Sequence, residues 1–168
     1  MISTTTFPPP SGVQYELRSG AHRAVVTEVG ATLRAYTVDG VDVIDGFDLA
    51  EVSPGGRGQV LAPWPNRVGD GRYTFGGRAG QAALNEPARR NAIHGLVRWL
   101  PWQPVSQAAN SVLLRCVLQP QPAYPWRLDL SLEYSVAEDG LTVSAEATNL
   151  TDSTAPFGIG FHPYLTVG

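Results

Sequence analysis

The clearest pattern along the chain is a pair of alternating segments near its C-terminal end. Apolar and polar residues alternate through 128–136, and they alternate again through 141–147 after the turn formed by Glu138, Asp139 and Gly140. A period of two belongs to a strand whose side chains point alternately to opposite faces. The pattern therefore predicts an antiparallel hairpin with one buried face.

Shorter apolar segments separated by turn-forming residues fill the rest of the chain. Asp39-Gly40 tolerates the positive φ angles of a two-residue hairpin turn, and 45–58 is rich in glycine, serine and proline, which predicts a long surface loop. The other predicted strands are 13–18, 23–29, 33–38, 41–44 and 111–118. Because no segment shows sustained helical periodicity, we expect an all-β fold, most simply an antiparallel β-sandwich.

The composition is that of one folded unit. Of the 168 residues 43% are hydrophobic, enough for a substantial core, and 18 glycines with 14 prolines favour short strands joined by turns. We expect a flexible lead-in over 1–12, which contains three consecutive prolines, and a single domain over 13–168.

Charge and cysteine content narrow the class of protein. The net charge is only −3 and there is no basic run, so nothing indicates a nucleic-acid partner. The N-terminal residues lack the charged and apolar regions of a secretory signal, and no stretch is long and apolar enough to span a bilayer. We therefore expect a cytoplasmic protein with no membrane partner. The single cysteine, Cys116, lies in an apolar segment and is expected to be a buried thiol.

The last twelve residues hold a histidine in an unusual setting. In 157–162 large apolar residues alternate with two glycines and His162, and Pro163 follows. One face of such a strand has room for a ligand beside the imidazole, which can donate or accept a proton near neutral pH. The alternative is a core histidine bonded to a backbone carbonyl, with the glycines marking a tight strand crossing. The pattern leaves both interpretations open.

Two further polar islands lie in apolar surroundings. Prolines flank Trp64, which predicts a stiff, extended segment from which Trp64, Asn66 and Arg67 project. An asparagine beside an arginine can hold vicinal hydroxyls, and an indole can pack on an apolar ring face. His94 precedes a glycine that lets the backbone approach a neighbour closely. A surface arginine, a turn asparagine and a structural histidine are the simpler interpretations.

This inventory suits a sugar better than a metal ion or an acyl group. The three histidines and one cysteine form no short-range pair of the kind typical of zinc sites, and no serine lies in a nucleophile elbow. Histidines, an arginine, an asparagine and tryptophans on stiff strands fit a neutral, hydroxylated ligand such as a monosaccharide.

Three separated motifs resemble those of the aldose 1-epimerase (galactose mutarotase) family, in the same order and at similar intervals. They occupy residues 63–73, 91–97 and 160–164. Apart from the first dozen residues, the chain resembles the N-terminal part of such an enzyme. The resemblance implies a galactose-mutarotase-like supersandwich, incomplete at the C-terminus, and interconversion of the α and β anomers of a free hexose such as galactose or glucose.

The resemblance also implies roles for four residues. His162 corresponds to the general acid that protonates the ring oxygen, His94 and Arg67 to substrate-binding residues, and Asn66 to a motif neighbour with a weaker claim to contact the sugar. A histidine with a pKa of about 6.5 can carry out such a transfer at neutral pH. Acid-base assistance of this kind gives roughly 10² to 10⁴ in rate, and no cofactor is required.

Two departures from the family bear on activity. Leu165 replaces a phenylalanine that is common in relatives, and the family's general-base glutamate, with the substrate-binding aspartate before it, belongs to a part that lies beyond residue 168. We therefore expect this chain to be a fragment or truncated product, at best weakly active alone, with open apolar sheet edges. The alternatives are a non-catalytic carbohydrate-binding protein and a hexose-6-phosphate epimerase, for which Arg89, Arg90 and Arg98 are the surplus cations.

Overall fold

The structure, a computed structural model, describes residues 8–167 and consists almost entirely of β-strands. Two four-stranded antiparallel sheets dominate it, with the strand orders β1-β2-β3-β4 and β10-β11-β12-β13. The first comprises β1 (Gln14–Ser19), β2 (His22–Thr27), β3 (Leu33–Val38) and β4 (Val41–Asp42). The second comprises β10 (Gln103–Gln107), β11 (Ser111–Leu118), β12 (Leu128–Ala137) and β13 (Gly140–Asn149).

The two sheets pack face to face around one apolar core. Leu17 and Val26 of the first sheet and Leu114 and Leu132 of the second are almost wholly excluded from solvent. Tyr134 crosses the interface, and its hydroxyl donates a hydrogen bond to the carbonyl of Ala31 at 2.7 Å. The predicted all-β sandwich is confirmed.

Local sequence patterns located several strands closely. β3 and β11 have the predicted bounds, and Asp39 and Gly40 adopt φ angles of 51° and 79° between β3 and β4, as the predicted turn requires. Cys116 is buried in β11, and burial raises the pKa of its thiol to about 11. The predicted loop over 45–58 is a loop apart from a short 3-10 turn at Pro54–Gly56.

The hairpin of β12 and β13 corrects one expectation. The apolar face of β12 is buried along its whole length, but the corresponding residues of β13 are half-buried at Leu141 and Val143 and exposed at Ala145 and Ala147. β13 is an edge strand in the described part of the chain, so packing covers only one of the two strands.

Short strand pairs join the segments that bear the sequence motifs. β5 (Val60–Leu61) pairs with β14 (Gly160–Phe161), and β6 (Arg67–Gly69) pairs with β9 (Asn91–Ile93). A parallel bridge between Ala62 and Gly95 links the two pairs. A separate hairpin is formed by β7 (Arg72–Phe75) and β8 (Arg78–Gln81), and a second 3-10 turn lies at Pro87–Arg89. Segments distant in sequence therefore meet at one place.

The space expected beside Gly158 and Gly160 is filled by protein. A β-carbon added to Gly160 would lie 2.9 Å from Cβ of Pro65, and one added to Gly158 would lie 3.3 Å from Cδ of the same proline. These glycines thus mark a tight strand crossing, and the expectation that they leave room for a ligand is wrong. The ligand space beside His162 must lie elsewhere.

The start of the chain is described from residue 8, so most of the predicted lead-in lies outside the described residues. In the described portion Ser11 is buried, and its carbonyl accepts a hydrogen bond from the amide of Val29 at 3.0 Å. The domain boundary at residue 13 stays a prediction. The described residues include no helix long and apolar enough to cross a membrane.

Candidate active site

The fold brings together two histidines that are distant in the sequence. The ring centroids of His94 and His162 are 5.1 Å apart, and the rings are nearly perpendicular at 88°. His94 directly follows β9 and His162 directly follows β14, and the bridge between Ala62 and Gly95 holds these strands in register. We call the two rings the histidine pair.

His94 is held rigidly in a tight turn. Its φ angle is 65°, an uncommon value for a residue with a side chain. Its amide donates to the carbonyl of Asn66 at 2.9 Å, and the amide of Asn66 donates to Nδ1 of His94 at 3.2 Å. Because Nδ1 accepts this bond, a neutral ring carries its proton on Nε2 and can donate it to a ligand.

His94 is buried and is uncharged at neutral pH. Only 9% of the residue is exposed. Burial, and then the positive charges near it on Arg98, His162 and Arg67, lower its pKa to about 4. His94 is therefore suited to directed hydrogen bonding rather than to carrying a proton.

His162 has a more open environment. Its backbone is fixed, since its amide donates to Gln59 at 3.1 Å and its carbonyl accepts from Gly58 at 2.8 Å. Its half-buried ring has no hydrogen bond to any residue of 8–167 and stacks on Tyr164, with ring centroids 5.2 Å apart. The guanidinium of Arg57 lies 4.9 Å from the centre of the Tyr164 ring. The nitrogens of a ring so placed remain available for hydrogen bonds to a ligand.

Arg67 is positioned by a carboxylate that the sequence analysis missed. Nε and Nη2 of Arg67 each donate to Glu86 at 2.8 Å, and Nη1 donates to the side chain of Asn66 at 3.0 Å. Asn91 donates to the same carboxylate at 2.7 Å. These hydrogen bonds, with that of Arg67 foremost, lower the pKa of Glu86 to about 2. Glu86 is thus held as a carboxylate and is a weak base.

Asn66 does not lie in extended backbone as predicted. Its φ angle is 58°, so the chain turns there, and this turn places both backbone groups of Asn66 against His94. Asparagine tolerates this conformation better than most residues. The side chains of Asn66 and Arg67 are exposed on the same turn.

Trp64 and Trp102 have other surroundings than the histidine pair. Trp64 lines an apolar hollow with Tyr73, Tyr124 and Phe157, and its buried Nε1 has no hydrogen-bond partner among residues 8–167. Trp102 is fully buried in the core. The expected role of an indole in stacking on the ligand is therefore not supported by the position of either residue.

Gln59 and Arg98 complete the surroundings of His162. The side chain of Gln59 is buried. Its Nε2 donates a hydrogen bond to the backbone carbonyl of Arg98 at 3.3 Å, and its Oε1 accepts one from Nη1 of Arg98 at 3.4 Å. No sequence signal distinguished Gln59 or Glu86, because both approach the site only through folding. Among the residues described, no three histidine, cysteine or acidic side chains are grouped so that they could hold a metal ion.

The chemistry available is hydrogen bonding by a neutral imidazole beside a second imidazole with no hydrogen bond to any described residue, with an oriented guanidinium nearby. This set fits the handling of a hydroxylated ring. A sequence model of the family described as aldose 1-epimerase matches residues 13–168, which is most of the chain. The chain belongs to the aldose 1-epimerase family.

Two curated proteins match the chain over about half of their own length. The chain is 38% identical to the uncharacterized protein YihR of Escherichia coli (strain K12) over 157 residues, 93% of this chain and 51% of that protein. It is 28% identical over 152 residues to the uncharacterized protein YphB of the same organism, again 51% of that protein. The chain thus spans about half the length of the curated relatives it matches.

Solved structures show the same fold. The GalM/aldose epimerase homologue from C. elegans superposes with a TM-score of 0.81 at 20% identity, over 92% of this chain and 51% of that one. A galactose mutarotase-like protein from Lactobacillus casei ATCC 334 gives 0.76 at 19% identity, over 93% and 51%. The galactose-mutarotase-like fold inferred from the motifs is confirmed.

Proposed function

We propose that this chain contributes the sugar-binding and acid half of an aldose 1-epimerase that acts on a free hexose such as galactose or glucose. The single observation that carries the proposal is the histidine pair, in which two neighbouring rings have different environments. His162 is the catalytic acid, and His94 and Arg67 bind the sugar. Asn66 orients both of these binding residues through its backbone and side chain.

The proposed reaction needs two proton transfers and one rotation. A base removes the proton of the anomeric hydroxyl while His162 donates a proton to the ring oxygen, so that the C1–O5 bond breaks and an aldehyde forms. Rotation about C1–C2 presents the other carbonyl face. Reclosure returns both protons by the reverse transfers, with no net change in atoms or electrons.

His94 supports this reaction as a neutral donor. A protonated His94 would place a second positive charge beside His162 and would oppose protonation of the acid. The low pKa of His94 prevents this at neutral pH. Its Nε2–H then remains available to a sugar oxygen near the ring.

The base has no good candidate close to the pair in the described residues. The negative charge of Glu86 raises the pKa of His94 slightly against the other effects. Glu86 is bound by Arg67 and Asn91, however, and has a pKa of about 2. Because the described residues offer no free base beside the pair, we propose that the chain alone binds sugar but anomerises it slowly. A cytoplasmic location stays a prediction.

The test measures binding and rate separately. Titration of the chain with galactose and glucose, followed through the imidazole NMR signals, should show saturable shifts at His94 and His162 and smaller ones at His22. Magnetisation exchange between the anomers should be at most slightly faster than in buffer. Absence of binding by any hexose would contradict the sugar site, and full-speed mutarotation would contradict the external base.

A further inference from the structure

The three arginines around the histidine pair differ in how their charges are balanced. Arg67 is paired with Glu86, and Arg57 is paired with Asp45 at 2.8 Å. Arg98 has no carboxylate within ion-pair distance among residues 8–167.

Arg98 is also the most desolvated of the three. Its Nε is buried and has no hydrogen-bond partner in the described part of the chain. Its guanidinium lies over the ring of Trp99, 5.3 Å from the centroid, and its one side-chain hydrogen bond to Gln59 is long at 3.4 Å. Burial lowers the pKa of Arg98, because a charge removed from water without a counter-charge is disfavoured.

Arg98, His162 and Gln59 all lie close to Gly56. The point where a β-carbon on Gly56 would lie is 3.9 Å from Nη1 of Arg98, 3.8 Å from Cδ2 of His162 and 3.6 Å from Oε1 of Gln59. Because residue 56 is a glycine, no side chain occupies this point, and three polar side chains surround it.

The other cations suggested by the sequence are already balanced. Arg90 pairs with Asp70 at 2.9 Å, and Arg89 lies 3.8 Å from Glu86. Of the surplus arginines considered for phosphate binding, Arg98 alone combines a position beside the histidine pair with an uncompensated charge.

We propose that Arg98 forms a subsite for an acidic group on the sugar, so that this site prefers hexoses bearing a carboxylate or a phosphate over neutral ones. The inference rests on the proposed sugar-binding function. A planar guanidinium matches the geometry of either anion and binds it through charge-assisted hydrogen bonds. Such an anion would supply the counter-charge that residues 8–167 do not provide.

The first experiment needs no substitution. Affinities of the whole chain for galactose, galacturonate, glucose, glucuronate and glucose 6-phosphate are measured by calorimetry at one ionic strength, with inorganic phosphate and acetate as anions without a sugar. We expect the acidic sugars to bind roughly tenfold to a hundredfold more tightly than their neutral partners, as a charge-assisted hydrogen bond provides. The uronates and the sugar phosphate distinguish the two sources of the anion.

Variants then assign the preference to one residue. Arg98→Gln should remove the preference for acidic sugars and leave neutral galactose within about threefold, a loss smaller than one ordinary hydrogen bond. Arg98→Lys, which keeps the charge and loses the planar fork, should keep part of the preference. Arg78→Gln removes an exposed arginine on β8 and is the control with the same change in net charge.

Several results would overturn the inference. Equal affinity for neutral and acidic sugars would do so while leaving the proposed function intact, as would a preference that survives Arg98→Gln. Inorganic phosphate binding as tightly as glucose 6-phosphate would show an anion site without sugar recognition. Failure to bind any of the sugars would instead remove the proposed function together with this inference.

Discussion

His94 and His162 are the same residue type, 5.1 Å apart, yet the protein treats them differently. His94 is buried in a left-handed turn, bonded through Nδ1 to the Asn66 amide and kept neutral with a pKa of about 4. His162 has a fixed backbone and a ring that stacks on Tyr164 and has no hydrogen bond to any residue of 8–167. One ring is therefore fixed in charge and direction, and the other keeps its ring nitrogens available for a ligand.

This difference shows how neighbouring groups of one type acquire separate roles. Two identical rings at this distance would compete for a proton, and their repulsion would make neither a dependable acid. Burial and the nearby guanidinium groups settle the competition by disfavouring charge on His94. The experiments below test whether the two roles are separate.

The largest effect is expected from removing the acid. His162→Gln keeps polarity and approximate size but cannot exchange a proton near pH 7, so the small excess of the chain's anomerisation rate over the rate in buffer should be lost completely; in a site that also holds the base, acid-base assistance provides roughly 10² to 10⁴ in rate. Sugar affinity should change little. The measurement is magnetisation exchange between galactose anomers, and a variant that keeps its rate would exclude His162 as the acid.

A smaller, two-part effect is expected from His94→Phe. The ring shape is retained, but the buried Asn66 amide loses its acceptor, which should lower the free energy of unfolding by about 1–3 kcal/mol. Hexose affinity should also fall about tenfold. Chemical denaturation and calorimetry check the two parts, and a loss of rate without loss of affinity would reverse the assigned roles.

The pH dependence of stability should come from His94 in a limited window. Its pKa is about 4 when folded and about 6.5 when unfolded, so the unfolded chain binds more protons between these values. Stability should be complete above pH 6.5 and should decline as the pH falls towards 4, by at most about 3 kcal/mol.

Melting temperatures measured from pH 7 to 4.5 check this, since most carboxylates titrate lower. His94→Asn should show a shallower decline, because asparagine tolerates the positive φ angle and does not titrate. His22→Asn, which changes a histidine in β2 of the first sheet, is the matched control. An identical slope for His94→Asn and the unaltered chain would contradict the assigned cause.

The smallest effect is expected from Glu86→Gln. Arg67 would lose its charged partner but keep its bond to Asn66, so sugar affinity should weaken by only about threefold, in line with the modest worth of exposed ion pairs. Arg90→Gln, which breaks a similar exposed pair with Asp70, is the control. A larger loss for the control than for Glu86→Gln would remove Glu86 from the site.

Local patterns predicted most of the strands because alternation depends on which face of a strand is apolar. β11 follows from an apolar segment, and the turn between β3 and β4 follows from the residue types of Asp39 and Gly40. The pattern could not reveal that β12 is covered and β13 exposed, since both alternate equally well. Coverage depends on which other strand packs against each face.

Motif resemblance located candidate residues but not their partners. His94, His162, Arg67 and Asn66 were all named from sequence, while Glu86 was found only as the group that holds Arg67. The pattern could not decide between ligand space and a tight strand crossing at the glycines beside His162, because the ring that fills their space belongs to Pro65, far away in the chain.

The sequence by itself determined the strand-forming segments, the turn residues and the two imidazoles capable of proton chemistry, because these depend on residue type and short-range periodicity. Only the tertiary structure decided that those imidazoles meet, that one is kept neutral and that Arg98 lacks a counter-charge. Such properties arise from long-range pairing of short strands and from the removal of water, and neither is encoded in any single stretch of the chain.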